Sequence, residues 1–187
     1  MINLYIGIGF CAAIWIINGI WIVQAARHRV TSELYMHFGL SIFFSLLALE
    51  LTIGLPEPWI HPRISWLAVI GWILYIPSAV FVFGSMIELR RKGKAKTADF
   101  TETTTFIGSG LYGRIRQPMT LGLAIWSIAL ALVFQSTLAV ILGLVSLFCF
   151  WMSARKESGY NILKFGDSYK EYVARIPMWN IFRGPRK

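Results

Sequence analysis

Five apolar stretches constrain this chain more than any other feature. A backbone crossing the hydrocarbon core of a bilayer must satisfy its own hydrogen bonds, so it spans as a helix and needs about 20 apolar residues. Residues 4–24, 34–54 and 64–88 meet that length. Residues 118–134 and 137–154 are shorter, and only Gln135 and Ser136 separate them, which predicts a tight helical hairpin. Pro77 falls inside the third stretch and predicts a kink that neighbouring helices in a bundle can absorb. The expected fold is an all-α integral membrane protein of five transmembrane helices with a helical C-terminal tail, forming a single domain over residues 1–187. The composition agrees: 14% of residues are charged and 56% hydrophobic, whereas soluble domains carry about 25% charged residues. Only Met1, Ile2 and Asn3 precede the first span, with no basic region, so it is read as a retained span and not a signal peptide.

Charge sets the expected orientation. Arg27 and Arg29 follow the first span. Arg90, Arg91, Lys92, Lys94, Lys96, Arg114 and Arg116 follow the third. Arg155, Lys156, Lys164, Lys170, Arg175, Arg183, Arg186 and Lys187 follow the fifth. If the spans alternate, these segments share one side, and of the 18 basic residues only Arg63 lies opposite. Cytoplasmic loops concentrate Lys and Arg, which predicts the N-terminus outside and the C-terminus in the cytoplasm; a prokaryotic plasma membrane is the expected setting. The net charge of +9 is juxtamembrane and so implies anionic lipid headgroups as partners, not nucleic acid.

Two polar elements bracket the hairpin. In the first, Gly108, Gly110 and Gly113 surround Leu111 and Tyr112, just before Arg116, Gln117 and Pro118. Glycine allows close backbone approach to a ligand, and Pro118 suits a first helical turn. The free amides of Met119 and Thr120 then favour an anion, with Arg116 beside them. An ordinary helix start with arginines at the headgroups accounts for the same residues. In the second element, the fifth helix is expected to run on through Arg155, Lys156 and Glu157. Phe165-Gly166-Asp167 reads as a break with Asp167 capping a new helix, and Tyr169, Tyr172, Val173 and Ile176 form its apolar stripe. Glu157 among Arg155, Lys156 and Lys164 reads either as a surface ion pair or as an acceptor for a ligand amine or hydroxyl. Glu50 is the one acid deep in the second span, a candidate for function or for snorkelling to the outer face. His28, His37 and His61 are each isolated, and Cys11 and Cys149 lie in apolar runs without metal or disulfide spacing.

These two elements resemble those of the integral-membrane methyltransferases related to isoprenylcysteine carboxyl methyltransferase and the phospholipid N-methyltransferases. Gly110, Tyr112, Arg116, Pro118, Met119 and Gly122 fall on the first family pattern. Arg155, Glu157, Phe165, Gly166, Tyr169, Tyr172 and Pro177 fall on the second. The resemblance covers residues 92–177. It implies S-adenosylmethionine as cofactor, bound by Gly110, Leu111, Tyr112, Arg116, Gln117, Met119, Arg155 and Glu157. Arg116 and Gln117 are the candidates for a role in the chemistry, no metal is involved, and the acceptor is a lipophilic small molecule or lipid reached from the membrane. Gln117 stands where the family has His or Asn, Thr120 where it has Tyr, and Ser158 where it has a second Glu. An amide at 117 rules out an obligatory imidazole base there. Two alternatives share this scaffold: an NADPH-dependent membrane reductase and a non-catalytic lipid-binding relative.

Overall fold

The computed structural model describes residues 2–52, 64–93 and 104–182. Among the described residues six helices follow one another: α1 (Ile2–Arg27), α2 (Thr31–Thr52), α3 (Ser65–Lys92), α4 (Pro118–Phe134), α5 (Thr137–Phe165) and α6 (Asp167–Arg175). Among the described residues α1, α2, α3 and α5 are long and apolar enough to cross a membrane, while α4 is a shorter apolar helix of 17 residues. The loop at 55–63, with Arg63 and His61, and the basic residues Lys94, Lys96, Arg183, Arg186 and Lys187 lie outside the described residues.

The helices pack in the order α1, α2, α5, α4, α3, and α2 also touches α4. Small residues set the spacing, because helices in lipid gain little from burying apolar side chains and associate through close packing and interhelical hydrogen bonds. A Cβ on Gly122 of α4 would sit 2.7 Å from Val82 Cγ2 and 2.9 Å from the Val82 nitrogen of α3. Nearby, Ser78 Oγ of α3 donates to the Gly122 carbonyl at 2.9 Å. Gly39 of α2 faces Cys149 and Phe150 of α5 in the same way, and Ser153 of α5 donates to the Ser32 carbonyl at 2.9 Å. The buried centre is Phe43, Leu46, Val82, Leu123, Leu130, Ala139 and Phe150, contributed by α2 to α5. Outward residues such as Ile16, Ile73 and Leu144 stay apolar, as a lipid-facing surface requires.

Among the described helices α1 packs on α2 alone, held by a polar seam. Trp15 Nε1 donates to Ser45 Oγ at 3.1 Å, and His37 Nδ1 lies 3.1 Å from Asn18 Oδ1 while its ring stacks on Trp21. His37 is therefore not isolated, as the sequence suggested; its partner is on another helix and invisible to local spacing.

The hairpin forms where expected. Gln135 takes a left-handed φ of 51° to end α4, and Ser136 caps α5 by accepting from the Ala139 nitrogen at 3.0 Å. Ser136 Oγ also donates to Glu50, which is buried, so this acid is tied to the hairpin and is not at a free surface. Gln135 binds both the nitrogen and the carbonyl of Ile64, at 2.7 and 2.9 Å. Two helices outlast their apolar stretches. α3 ends at Lys92, four residues past the stretch at 64–88, and α5 runs on past 154 to Phe165, where the sequence placed its break. Lys, Glu, Asn and Leu are good or tolerable helix formers, so the helix outlasts its hydropathy. Asp167 is not the cap of α6. Gly166, at φ 69°, holds that position, and Asp167 lies in the first turn paired with Lys170 at 2.7 Å.

The α3–α4 seam predicts opposite effects at two glycines. Gly122→Val should lower stability in detergent by about 1–3 kcal/mol, because the backbone of α3 leaves no room for relaxation. Gly159, helical and with nothing within 4 Å of a built Cβ, should tolerate Ala with a gain of about 0.5–1 kcal/mol. Denaturant unfolding of both variants beside wild type checks the pair.

Candidate functional site

The site is assembled at the end of the bundle where α3 finishes and α4 starts. Glu88, in the last turn of α3, accepts from the Leu111 nitrogen at 3.1 Å and pairs with Lys92 at 3.5 Å. Lys92 also reaches Ser109 Oγ at 3.2 Å. Gly110 passes between them at φ 64°, and a Cβ there would collide with the Glu88 carboxylate, so only glycine fits both the conformation and the space. The tight turn at 110–115 then brings Leu111 over Gly84 and Tyr112 toward Ser85, whose side chain hydrogen-bonds the phenol. Burial pushes the Tyr112 hydroxyl well above its ordinary range, and Glu157 adds to the shift.

α5 and α6 supply the opposite wall. Gly166 turns the chain so that Tyr169, Tyr172 and Ile176 of α6 and its cap pack under Phe106, Ile162, Phe165 and Val173. Phe106 lies 5.5 Å from Tyr169 and 5.4 Å from Tyr172, ring to ring. The Tyr172 hydroxyl donates to the Tyr112 carbonyl at 2.6 Å, joining the two walls. Arg116 locks the arrangement. Its Nε donates to Ser158 Oγ at 3.2 Å, and one terminal nitrogen donates to the carbonyls of Val173 and Ile176 at 3.1 and 3.0 Å. Behind α6 the chain returns as a strap, with the Arg116 and Gln117 nitrogens donating to the Pro177 and Met178 carbonyls at 2.9 and 3.3 Å.

Gln117 is buried as the residue preceding α4, and its side chain hydrogen-bonds the Glu157 carboxylate. Asn161, one turn further along α5, donates to Glu157 Oε1 at 3.5 Å and to the Tyr169 hydroxyl at 3.3 Å. Burial raises the Glu157 carboxyl above the usual range, and the Gln117 and Asn161 bonds oppose the rise. Glu33 at the start of α2 is near enough to raise it further. The Tyr169 phenol is pushed up to about 12, mainly by burial. At the start of α4, Met119 is half-buried and Thr120 is buried. Thr120 Oγ1 accepts from Trp179 Nε1 at 3.2 Å and donates to the Gln117 carbonyl at 3.1 Å.

Gly110, Leu111, Tyr112, Arg116, Gln117 and Glu157 thus converge on one end of the bundle. Arg155 does not join them. It is exposed and its guanidinium lies over the Trp151 ring at 4.9 Å. The sequence reading passed over Glu88, Ser85, Phe106, Asn161 and Trp179. Asn161 was detectable as the residue four after Glu157, on the same helical face. The others act across large separations that no periodicity marks. A carboxylate held by neutral amides beside tyrosine faces, with a helix N-terminus alongside, suits a ligand that carries both a cation and an anion.

No solved structure matches the chain. Among curated proteins it is similar to protein-S-isoprenylcysteine O-methyltransferase of Xenopus laevis, at 28% identity over 135 residues, which is 65% of this chain and 44% of that protein. The match therefore spans less than half the length of that relative. Residues 66–167, from the start of α3 through the site loop, the hairpin and the whole of α5, match the phospholipid methyltransferase family. That stretch is more than half of the chain and carries both site elements up to the turn into α6; the protein belongs to the phospholipid methyltransferase family.

Proposed function

We propose that this protein transfers a methyl group from S-adenosylmethionine to a lipophilic acceptor at the cytoplasmic face of the membrane. The observation that carries the reading is the junction of the two sequence elements, where Arg116 donates to Ser158 Oγ at 3.2 Å and the Tyr172 hydroxyl donates to the Tyr112 carbonyl at 2.6 Å, in a member of this family. Bound S-adenosylmethionine supplies an activated methyl on a sulfonium. The chain has to hold, align and shield the reactants. Glu157 offers its carboxylate to the ligand amine or a ribose hydroxyl. Gln117 orients that carboxylate as an amide and carries no proton of its own near neutral pH. Tyr112 gives an aromatic face to the positive sulfur, and Gly110 and Leu111 shape the loop around it. Arg116 and the first amides of α4, near Met119, favour the ligand carboxylate. Arg155 stays at the rim. The strap at 177–179 covers this end and excludes water. With α4, about 26 Å long, taken as the fifth crossing, the positive-inside pattern of the sequence favours both walls and the C-terminus on the cytoplasmic side. The acceptor, a lipid or lipophilic small molecule, enters sideways between helices.

Calorimetric titration of the purified protein with S-adenosylmethionine, S-adenosylhomocysteine and NADPH tests the reading. Binding of both adenosyl ligands is expected, and binding of NADPH alone would overturn it.

Labelling from outside the cell should modify Glu57→Cys and spare Lys94→Cys. The reverse pattern would put the site on the wrong side of the membrane for its cofactor.

Arg116→Ala should weaken S-adenosylhomocysteine binding about tenfold or more, since charge-assisted hydrogen bonds contribute roughly 1.5–3 kcal/mol and here they also seat α6. Arg91→Ala, in the exposed last turn of α3, should leave the affinity unchanged; equal affinities for wild type and Arg116→Ala would remove Arg116 from the site.

Glu157 predicts a pH dependence with a definite sign. Its folded carboxyl is raised above the unfolded value of about 4.3, so its contribution to stability is present below that value and is lost as pH rises through the folded pKa. A cationic ligand needs the carboxylate, so its affinity should rise over that same interval. Glu157→Gln should flatten both profiles. Unchanged profiles in that variant would mean another group titrates.

A further inference from the structure

The last turns of α3 meet the site loop along one side. Gly84, Ser85, Glu88 and Lys92 fall within an arc of about 100° around that helix, and each meets a different part of the loop. Leu111 Cδ1 would come within 2.8 Å of a Cβ on Gly84, so the leucine lies on bare helix. Glu88 Oε2 accepts from the Leu111 nitrogen at 3.1 Å, and Lys92 Nζ reaches Ser109 Oγ at 3.2 Å. Ser85 is buried and bonds to the Tyr112 hydroxyl. Its own proton is committed to the Phe81 carbonyl. A serine hydroxyl has one proton to give, so in the Ser85–Tyr112 pair the tyrosine donates. Tyr112 is therefore held at three points: its hydroxyl by Ser85, the preceding residue's nitrogen by Glu88, and its carbonyl by the Tyr172 hydroxyl at 2.6 Å. Two of those anchors belong to α3. Burial pushes the Tyr112 hydroxyl well above its ordinary range and so keeps its proton in place for Ser85. What Tyr112 has left to offer a ligand is its ring. The Glu88–Lys92 pairing is long, at 3.5 Å, and partly exposed, so the Leu111 bond is the stronger contact of this acid.

We propose that Glu88 and Ser85 are positioning residues for methyl transfer: by fixing the Leu111 amide and the Tyr112 hydroxyl, they set the Tyr112 ring as the wall that meets the sulfonium of the methyl donor. The inference rests on the methyl-transfer reading of this site. Both residues act through the loop and not on the ligand. An aromatic face attracts a cation through its quadrupole, and the attraction depends on where the ring sits. On a loop that carries Gly108, Gly110 and Gly113, an unanchored tyrosine would take many orientations. The end of α3 orders the ring before a ligand arrives, which lowers the cost of binding. Glu88 serves as an acceptor more than as a charge, because its partner is a neutral backbone amide. The consequence is discrimination between donor and product. S-adenosylmethionine is a cation at sulfur and gains from the ordered ring, whereas S-adenosylhomocysteine is neutral there and does not.

The test uses the full-length protein in phosphatidylcholine nanodiscs, titrated separately with S-adenosylmethionine and S-adenosylhomocysteine. Hydrogen–deuterium exchange of the Leu111 amide is followed in the ligand-free protein. Glu88→Ala should speed that exchange about fivefold or more, through loss of one hydrogen bond. It should also weaken the sulfonium ligand about fivefold relative to the neutral one. Glu88→Gln keeps an acceptor and should return both quantities to within about twofold of wild type. Ser85→Ala should lower the affinity ratio in the same way. In a Tyr112→Leu background, Glu88→Ala should no longer change the ratio, because the residue it acts through is gone. Equal weakening of both ligands by Glu88→Ala would reduce Glu88 to a structural support and overturn the proposal. So would an unchanged ratio, a Glu88→Gln variant no better than Glu88→Ala, or an undiminished effect in the Tyr112→Leu background. A wild type that binds neither adenosyl ligand would sink the methyl-transfer reading and this proposal with it. Every other outcome leaves that reading in place, so the two failures are distinguishable.

Discussion

The end of the bundle that carries the site depends on one guanidinium. Arg116 lies two residues before the start of α4 and is fixed by that helix, yet its side chain serves α5 through Ser158 and the end of α6 through the carbonyls of Val173 and Ile176. The last carbonyls of a helix have no partners within it. A nine-residue helix such as α6 cannot persist alone in water. Arg116 answers both problems, because a planar fork meets several acceptors at once where a lysine would present a single point charge. The aromatic packing of Tyr169 and Tyr172 under Phe106, the Tyr172–Tyr112 bond and the strap pairing at 177–178 all require α6 to be seated this way.

Arg116 can act so only because the long helices approach closely. Gly122 and Ser78 bring α4 against α3, and Gly39 and Ser153 bring α5 against α2. The first contact puts Glu88 opposite the Leu111 nitrogen, so the end of one helix anchors the loop that leads into the next. The second carries the start of α2, with Glu33, to the edge of the Glu157 environment. Packing in the apolar part of the bundle thus determines which polar groups meet at its end.

Much of this was legible in the sequence, for identifiable reasons. Pro118 and the Gln135-Ser136 pair marked both ends of α4, since a proline at the first helical position and a short polar break are strong local signals. The stripe Tyr169, Tyr172, Ile176 gave α6 and its buried face. At α5 the apolar run stops at Ala154, yet the helix runs on to Phe165, and the break at Phe165-Gly166 was marked by its glycine and not by hydropathy. Asp167 looked like a cap by residue type, but the left-handed turn at Gly166 takes that role by geometry. Partners such as Trp179 for Thr120, Glu88 for Leu111 and Asn18 for His37 depend on how helices are arranged in space, and no one-dimensional pattern encodes them.

The charge pattern around Glu157 was the least predictable feature, and it bears most on what this end of the bundle can bind. An acid between Arg155, Lys156 and Lys164 reads first as a surface ion pair, yet its hydrogen bonds come from two neutral amides, Gln117 and Asn161. Arg155 is turned outward onto Trp151, and Arg116 is engaged by backbone carbonyls. Lys164 lowers the Glu157 carboxyl less than either amide does, and lies over Phe165 at 5.3 Å. Neutral donors orient a carboxylate without cancelling its charge, whereas a bonded arginine would do both. Within a strongly basic segment, that leaves a half-buried acid whose cost of ionisation is only partly offset by the protein itself. A ligand cation placed there supplies the remaining stabilisation, and it does so more strongly than at an exposed site because the surrounding dielectric is lower.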